Sequence, residues 1–105
     1  MIVRLSGPAA VPELVEPENC TQFHVEYGVA GAGPHEVARE LGRWADGATD
    51  DHVWIPVSVV RAAAEGRVGE DWDAAFSGML GYAKSKGWLN EQGDAIAAHV
   101  AHPEA

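Results

Sequence analysis

The sequence predicts an α+β fold with an N-terminal β-hairpin, three helices and a C-terminal β-hairpin, and three observations lead there. Residues 1–33 are interrupted by Gly7, Pro8, Pro12, Pro17, Gly28, Gly31 and Gly33, so no helix fits among them. Within that stretch Phe23, Val25, Tyr27 and Val29 alternate with His24, Glu26 and Gly28, the period of two of a half-buried strand. After Pro34 the apolar spacing becomes helical, and it returns to alternation only near the end, where Ile96, Ala98 and Val100 share one side.

Taken in order, Glu13–Glu16 is expected to pair with Gln22–Val29 across a loop through Pro17, Glu18, Asn19 and Cys20, giving the first hairpin. Pro34 suits the first position of a helix. Val37, Leu41 and Trp44, flanked by Ala38 and Ala45, form its apolar stripe, so the first helix is expected over Pro34–Ala45, with Gly47 beyond it. The run His52–Ile55, between Asp50–Asp51 and Pro56, reads as a short strand. Pro56 again suits a helix start, and Val57, Val60 and Ala64 lie on one face of a second helix over Val57–Glu65 that Gly66 stops.

The segment between Gly69 and Gly87 carries the strongest pattern. Trp72, Ala75, Phe76, Met79, Leu80 and Ala83 make a continuous apolar face, so Asp71–Lys86 is expected as the third helix. Glu70, Asp71 and Asp73 at its start and Lys84 and Lys86 at its end complement the helix dipole. Trp88 and Leu89, the turn Asn90–Asp94 and the strand Ala95–Val100 form the closing hairpin, and 101–105 reads as a frayed tail. The whole chain is expected to be one domain: 1–33 a hairpin and loop region, 34–100 the core, 101–105 the tail.

From Pro34 on, the order is helix, short strand, helix, long helix, strand, turn, strand. Carried by His52–Pro56, Val57–Glu65, Asp71–Lys86 and the exit Lys86–Gly87–Trp88–Leu89 with Asn90–Val100, this order resembles the winged-helix domain. The resemblance implies a third helix that enters the DNA major groove and presents polar or basic side chains to base edges. Here the outward positions are Asp73, Ala74, Ser77, Gly78, Gly81, Tyr82 and Ser85, and the expected wing carries Glu91 and Asp94 with no basic residue. A ferredoxin-like sandwich is the alternative, and it requires Val57–Glu65 to be extended.

Length and charge narrow the function. At 105 residues, 47% of them hydrophobic, the chain fits one modest core. Sixteen acidic against seven basic residues give a net charge of −9, which argues against nucleic acid as the partner. No apolar run is long enough for a membrane span or an export signal, so a cytoplasmic location is the expectation. Frequent Ala, Gly and Val, with Arg preferred to Lys, agrees with a high-GC bacterial gene. The single cysteine, Cys20, excludes an internal disulfide and a thiolate cluster within one chain.

No catalytic group, metal site or cofactor is expected. Cys20 and His24 lie roughly 13 Å apart on an extended chain, beyond hydrogen-bond reach. The glycines of Gly28–Pro34 do not match a phosphate-binding spacing, and Pro34 removes an amide donor. Five histidines, at 24, 35, 52, 99 and 102, lack the spacing of a zinc motif.

Two features remain. Ala74, Ser77, Gly78, Gly81 and Ser85 form a second, small-residue stripe on the third helix, and each interior glycine there costs about 1 kcal/mol relative to alanine. Close packing explains it, either by the first helix or the N-terminal hairpin of this chain, or by a protein partner or a second copy. The other feature is a set of four tryptophans, Trp44, Trp54, Trp72 and Trp88, which either share the core or line a pocket. In the second case His24, Glu26, His35, Trp54 and Trp88 are the expected ligand contacts. The leading expectation is a non-catalytic interaction module using the small-residue face. A tryptophan-lined enzyme or ligand-binding protein and a winged-helix regulator are the alternatives.

Overall fold

The structure, a computed structural model, describes residues 1–101. Two sheets and three helices alternate along the chain: β1 (Ile2–Leu5), β2 (Glu13–Val15), β3 (His24–Tyr27), α1 (Pro34–Leu41), β4 (Val53–Pro56), α2 (Val57–Ala64), α3 (Trp72–Ser85), β5 (Ala95–Ala98) and β6 (Val100–Ala101). The α+β class and strands at both ends are as predicted.

The N-terminal hairpin uses different arms from those expected. β1 alternates half-buried Ile2 and Arg4 with buried Val3 and Leu5. It takes β2 as its antiparallel partner, with Val3 opposite Leu14. β3 lies on the other side of β1 in parallel, Val3 opposite Val25 and Leu5 opposite Tyr27. The expected pairing of Glu13–Glu16 with Gln22–Val29 is therefore not made, because β1 separates them. The first sheet has the order β2-β1-β3-β6.

Closing the chain involves a change of sheet. The expected strand Ala95–Val100 divides at His99: β5 pairs with β4 antiparallel, and β6 then runs parallel to β3 with Val25 opposite Val100. Ala101 belongs to β6 and not to a tail, while residues 102–105 lie outside the described residues. Everything between β3 and β6 is thus one long crossover joining two neighbouring parallel strands. The turn of the C-terminal hairpin is tight. Asn90 Oδ1 accepts from the Asp94 and Ala95 amides, and the Ala97 amide donates to Trp88 carbonyl at 2.7 Å.

The helices form where the apolar spacing places them, but of the face expected on α3 Trp72, Phe76 and Ala83 are buried, Met79 and Leu80 are half-buried, and Ala75, at the margin of the stripe, is exposed. α1 ends at Leu41, short of the expected Ala45, and a 3₁₀ turn at Gly42–Trp44 carries the chain onward. Pro56 ends β4 and caps α2 instead of opening it. Because Val57–Ala64 is helical, the ferredoxin-like alternative is excluded. α3 ends in a Schellman motif: the Trp88 amide reaches Ala83 carbonyl at 2.8 Å and the Gly87 amide reaches Lys84 carbonyl at 3.2 Å, with Gly87 at φ +78°.

One buried cluster joins these parts. Val3, Leu5, Leu14, Val25 and Tyr27 of the first sheet meet Val37 and Leu41 of α1, Val60 and Ala64 of α2, and Trp72 and Phe76 of α3, with Val53, Ile55 and Ile96 from the second sheet. No helix among the described residues is long and apolar enough to cross a membrane.

Tyr27 gives this core a pH dependence. Burial, followed by the nearby carboxylates of Glu40 and Glu36, pushes its phenol above the ordinary value of 10.0. A group whose pKa is higher folded than unfolded contributes stability that is complete below the unfolded value and lost as pH rises through the folded one. The melting temperature is therefore expected to fall above pH 10, and Tyr27→Phe to flatten that fall, as thermal scans across the alkaline range will show.

A bare helix face and a histidine cleft

α3 divides into two faces. Trp72, Phe76 and Ala83 are buried, and Trp72 stacks on Phe76 with ring centroids 4.7 Å apart while its indole N–H donates to Pro17 carbonyl at 2.6 Å. Ala74, Ser77, Gly78, Gly81 and Ser85 are all exposed. A Cβ placed on Gly78 or Gly81 meets no atom within 4 Å. The intrachain explanation of this stripe, packing by α1 or the N-terminal hairpin, is thereby removed.

At the C-terminal end of that face stand two exposed aromatics. Tyr82 is 57% exposed and Trp88 44%, with their rings edge-to-face at 5.9 Å. Lys86 Nζ lies 5.6 Å from the Tyr82 ring, and the Ser85 hydroxyl donates to Tyr82 carbonyl. The opposite end carries Asp73, which Arg61 of α2 holds at 2.6 Å.

The candidate ligand contacts are not assembled in one place. Glu26 is bound by Arg4 at 3.0 Å on the outer face of the first sheet. His35 Nε2 lies 3.2 Å from Asp50 in an exposed pair. Trp54 borders a groove with Asp46 and Glu91, Trp44 one beside α2, and Trp72 is buried, so the four tryptophans share no pocket. His24 and Trp88, by contrast, do line one cleft, together with Phe23, His52, Ala97 and His99. It has a volume of about 310 Å³ and opens at the seam where the chain leaves β5 and enters β6. His52 and His99 were not singled out as ligand contacts from the sequence, since only the change of sheet at His99 brings them to His24.

The turn before β4 sets the orientation of His52. Thr49 amide donates to His52 carbonyl at 2.8 Å, and Thr49 Oγ1 accepts from the Asp51 and His52 amides, both at 3.2 Å. With those two bonds accepted, the hydroxyl hydrogen is free to point at His52 Nδ1, 3.3 Å away. His52 Nε2 is buried and has no hydrogen-bond partner among the described residues. The ring also meets Trp54 edge-to-face at 4.8 Å.

No group of three His, Cys, Asp or Glu side chains able to hold an ion comes together among the described residues, and His102 lies outside them. Burial pushes the Cys20 thiol above its ordinary range, so the nucleophilic thiolate is disfavoured.

No known protein family, curated protein or solved structure matches this chain.

Proposed function

We propose that this protein is a non-catalytic interaction module, a small bacterial cytoplasmic accessory protein that docks through the bare face of α3. The observation that carries the reading is the open space over Gly78 and Gly81. Two interior helix glycines cost about 2 kcal/mol together relative to alanine, and no contact among the described residues offsets that cost. A partner backbone approaching closely would do so.

The spacing of the stripe favours a second copy. Ala74, Gly78, Gly81 and Ser85 follow one another at intervals of four, three and four, which reads the same from either end. An antiparallel copy related by a two-fold axis would set Gly78 against Gly81 and Ala74 against Ser85. It would also bring Asp73 towards Lys86, so the acidic start of each helix meets the basic end of the other. Tyr82 and Trp88, residue types enriched where binding energy concentrates, would flank the contact.

Sedimentation equilibrium tests this directly. The wild-type chain is expected to dimerise, and Gly78→Leu to be monomeric with undiminished thermal stability, because leucine has space there and a better helix propensity. A wild type that stays monomeric at every concentration, with host-protein binding unaltered by Gly78→Leu, would remove this face from function. The winged-helix regulator gains no comparable support, since the outward side of α3 offers small and acidic side chains where base readout needs polar or basic ones.

A further inference from the structure

We infer that the cleft between the two sheets is a binding site for a small aromatic carboxylate, bordering the α3 face at Trp88. Its lining is unusual for this chain. Sixteen acidic residues are spread over the sequence, yet among the described residues no carboxylate lines the cleft, and the ionisable side chains there are the imidazoles of His24, His52 and His99. Glu26, two residues along β3 on the same side as His24, is neutralised by Arg4. An anion therefore meets imidazoles and no repelling charge among the described residues of the lining.

The three imidazoles come from three separate places. The Val25 amide donates to His99 carbonyl at 2.8 Å and Val25 lies opposite Val100, which sets His99 alongside His24 across the β3–β6 pair. His52 enters from the second sheet with its Nδ1 held 3.3 Å from Thr49 Oγ1. Its Nε2 is buried and has no hydrogen-bond partner among the described residues, so a carboxylate reaches it only when the side chain turns towards the cleft. Phe23 and Trp88 supply aromatic surface for the body of the ligand. The volume, about 310 Å³, lies at the small end of ligand pockets and suits a single-ring acid. A metal ion is a poorer occupant, because among the described residues no three ligating side chains come close enough to hold one.

Benzoate is the probe, followed by NMR of the full chain labelled with ¹⁵N, with benzyl alcohol as the uncharged control and zinc as the competing class. Benzoate is expected to give saturable shifts of the His52 ring and Trp88 indole signals, with benzyl alcohol binding at least about tenfold more weakly because it lacks the charge. His52→Phe, which keeps a ring against Trp54 but removes the imidazole nitrogens, is expected to weaken benzoate by about tenfold. Should that variant misfold, His24→Gln and His99→Gln, on the less buried side of the cleft, are expected to weaken benzoate several-fold each. Absence of saturable shifts, equal binding of the alcohol, indifference to all three histidine changes, or tight stoichiometric zinc binding at these rings would each overturn the assignment.

Discussion

Replacing Phe76 by alanine is expected to remove about 3–5 kcal/mol of folding free energy, measurable as a shift in the urea unfolding midpoint at unchanged slope. The side chain is fully buried, at 0% exposure. One face of its ring stacks on Trp72 with the two planes 9° apart. The Arg61 guanidinium carbon lies 4.9 Å from the ring centroid, and the same arginine bonds Asp73, so Phe76 also organises the α2–α3 contact. Truncation leaves a cavity between layers held on several sides, which gives little scope for collapse. The neighbouring exposed change Ser77→Ala is expected to stay within about 0.5 kcal/mol. An equal response from the two positions would contradict the two-faced reading of α3.

That contrast also shows what the sequence makes legible. α3 repeats its apolar spacing over four turns, and its ends carry separate signals in Asp73, Lys84 and Gly87, so independent cues agree on its type and bounds, while the face it buries is narrower than the spacing suggests because Ala75 is exposed. α1 offers fewer turns, and its stripe continues through Trp44 into a 3₁₀ segment that periodicity does not separate from α-helix. β1 has only four residues, half of them buried, and the proline-rich loop after it hides the fact that it is the strand on which both β2 and β3 align. Short strands acquire their identity from their partners, and those partners are distant in sequence.

The candidate sites divide along the same line. The small-residue stripe is local to one helix, so helical geometry alone places Ala74, Gly78, Gly81 and Ser85 together. The histidine cleft is assembled by topology. His24 and His99 meet only because β6 runs beside β3, and His52 joins them only because β4 pairs with β5. His35 and Glu26 look equally suitable in the sequence, yet each is occupied elsewhere by an ion pair. The spacing of five histidines along a chain carries no information about such non-local pairings.

Gly28→Ala is expected to be as damaging as many core truncations, lowering stability by about 3 kcal/mol, at the upper end of what overpacking costs. In the sequence Gly28 is one more glycine in a loop leading to α1. In the fold its amide donates to Leu5 carbonyl at 2.9 Å, and a Cβ there would stand 2.0 Å from the carbonyl oxygen of Ser6 and 2.8 Å from its carbonyl carbon. The obstacle is backbone, so no side-chain rotation relieves it. Either the end of β1 must separate from β3 or the chain leaving Tyr27 must change direction. Tyr27 and Leu5 are opposite one another in the parallel ladder and both are buried, so either movement opens the core at that point. Gly69→Ala is the matched control, since nothing lies within 4 Å of its Cβ position. Urea unfolding of the two variants is expected to show a large loss for Gly28→Ala and a change within about 0.5 kcal/mol for Gly69→Ala. Equal stability of both variants would mean that β1 does not run against β3 as the structure shows, and the register that positions His24 in the cleft would fall with it.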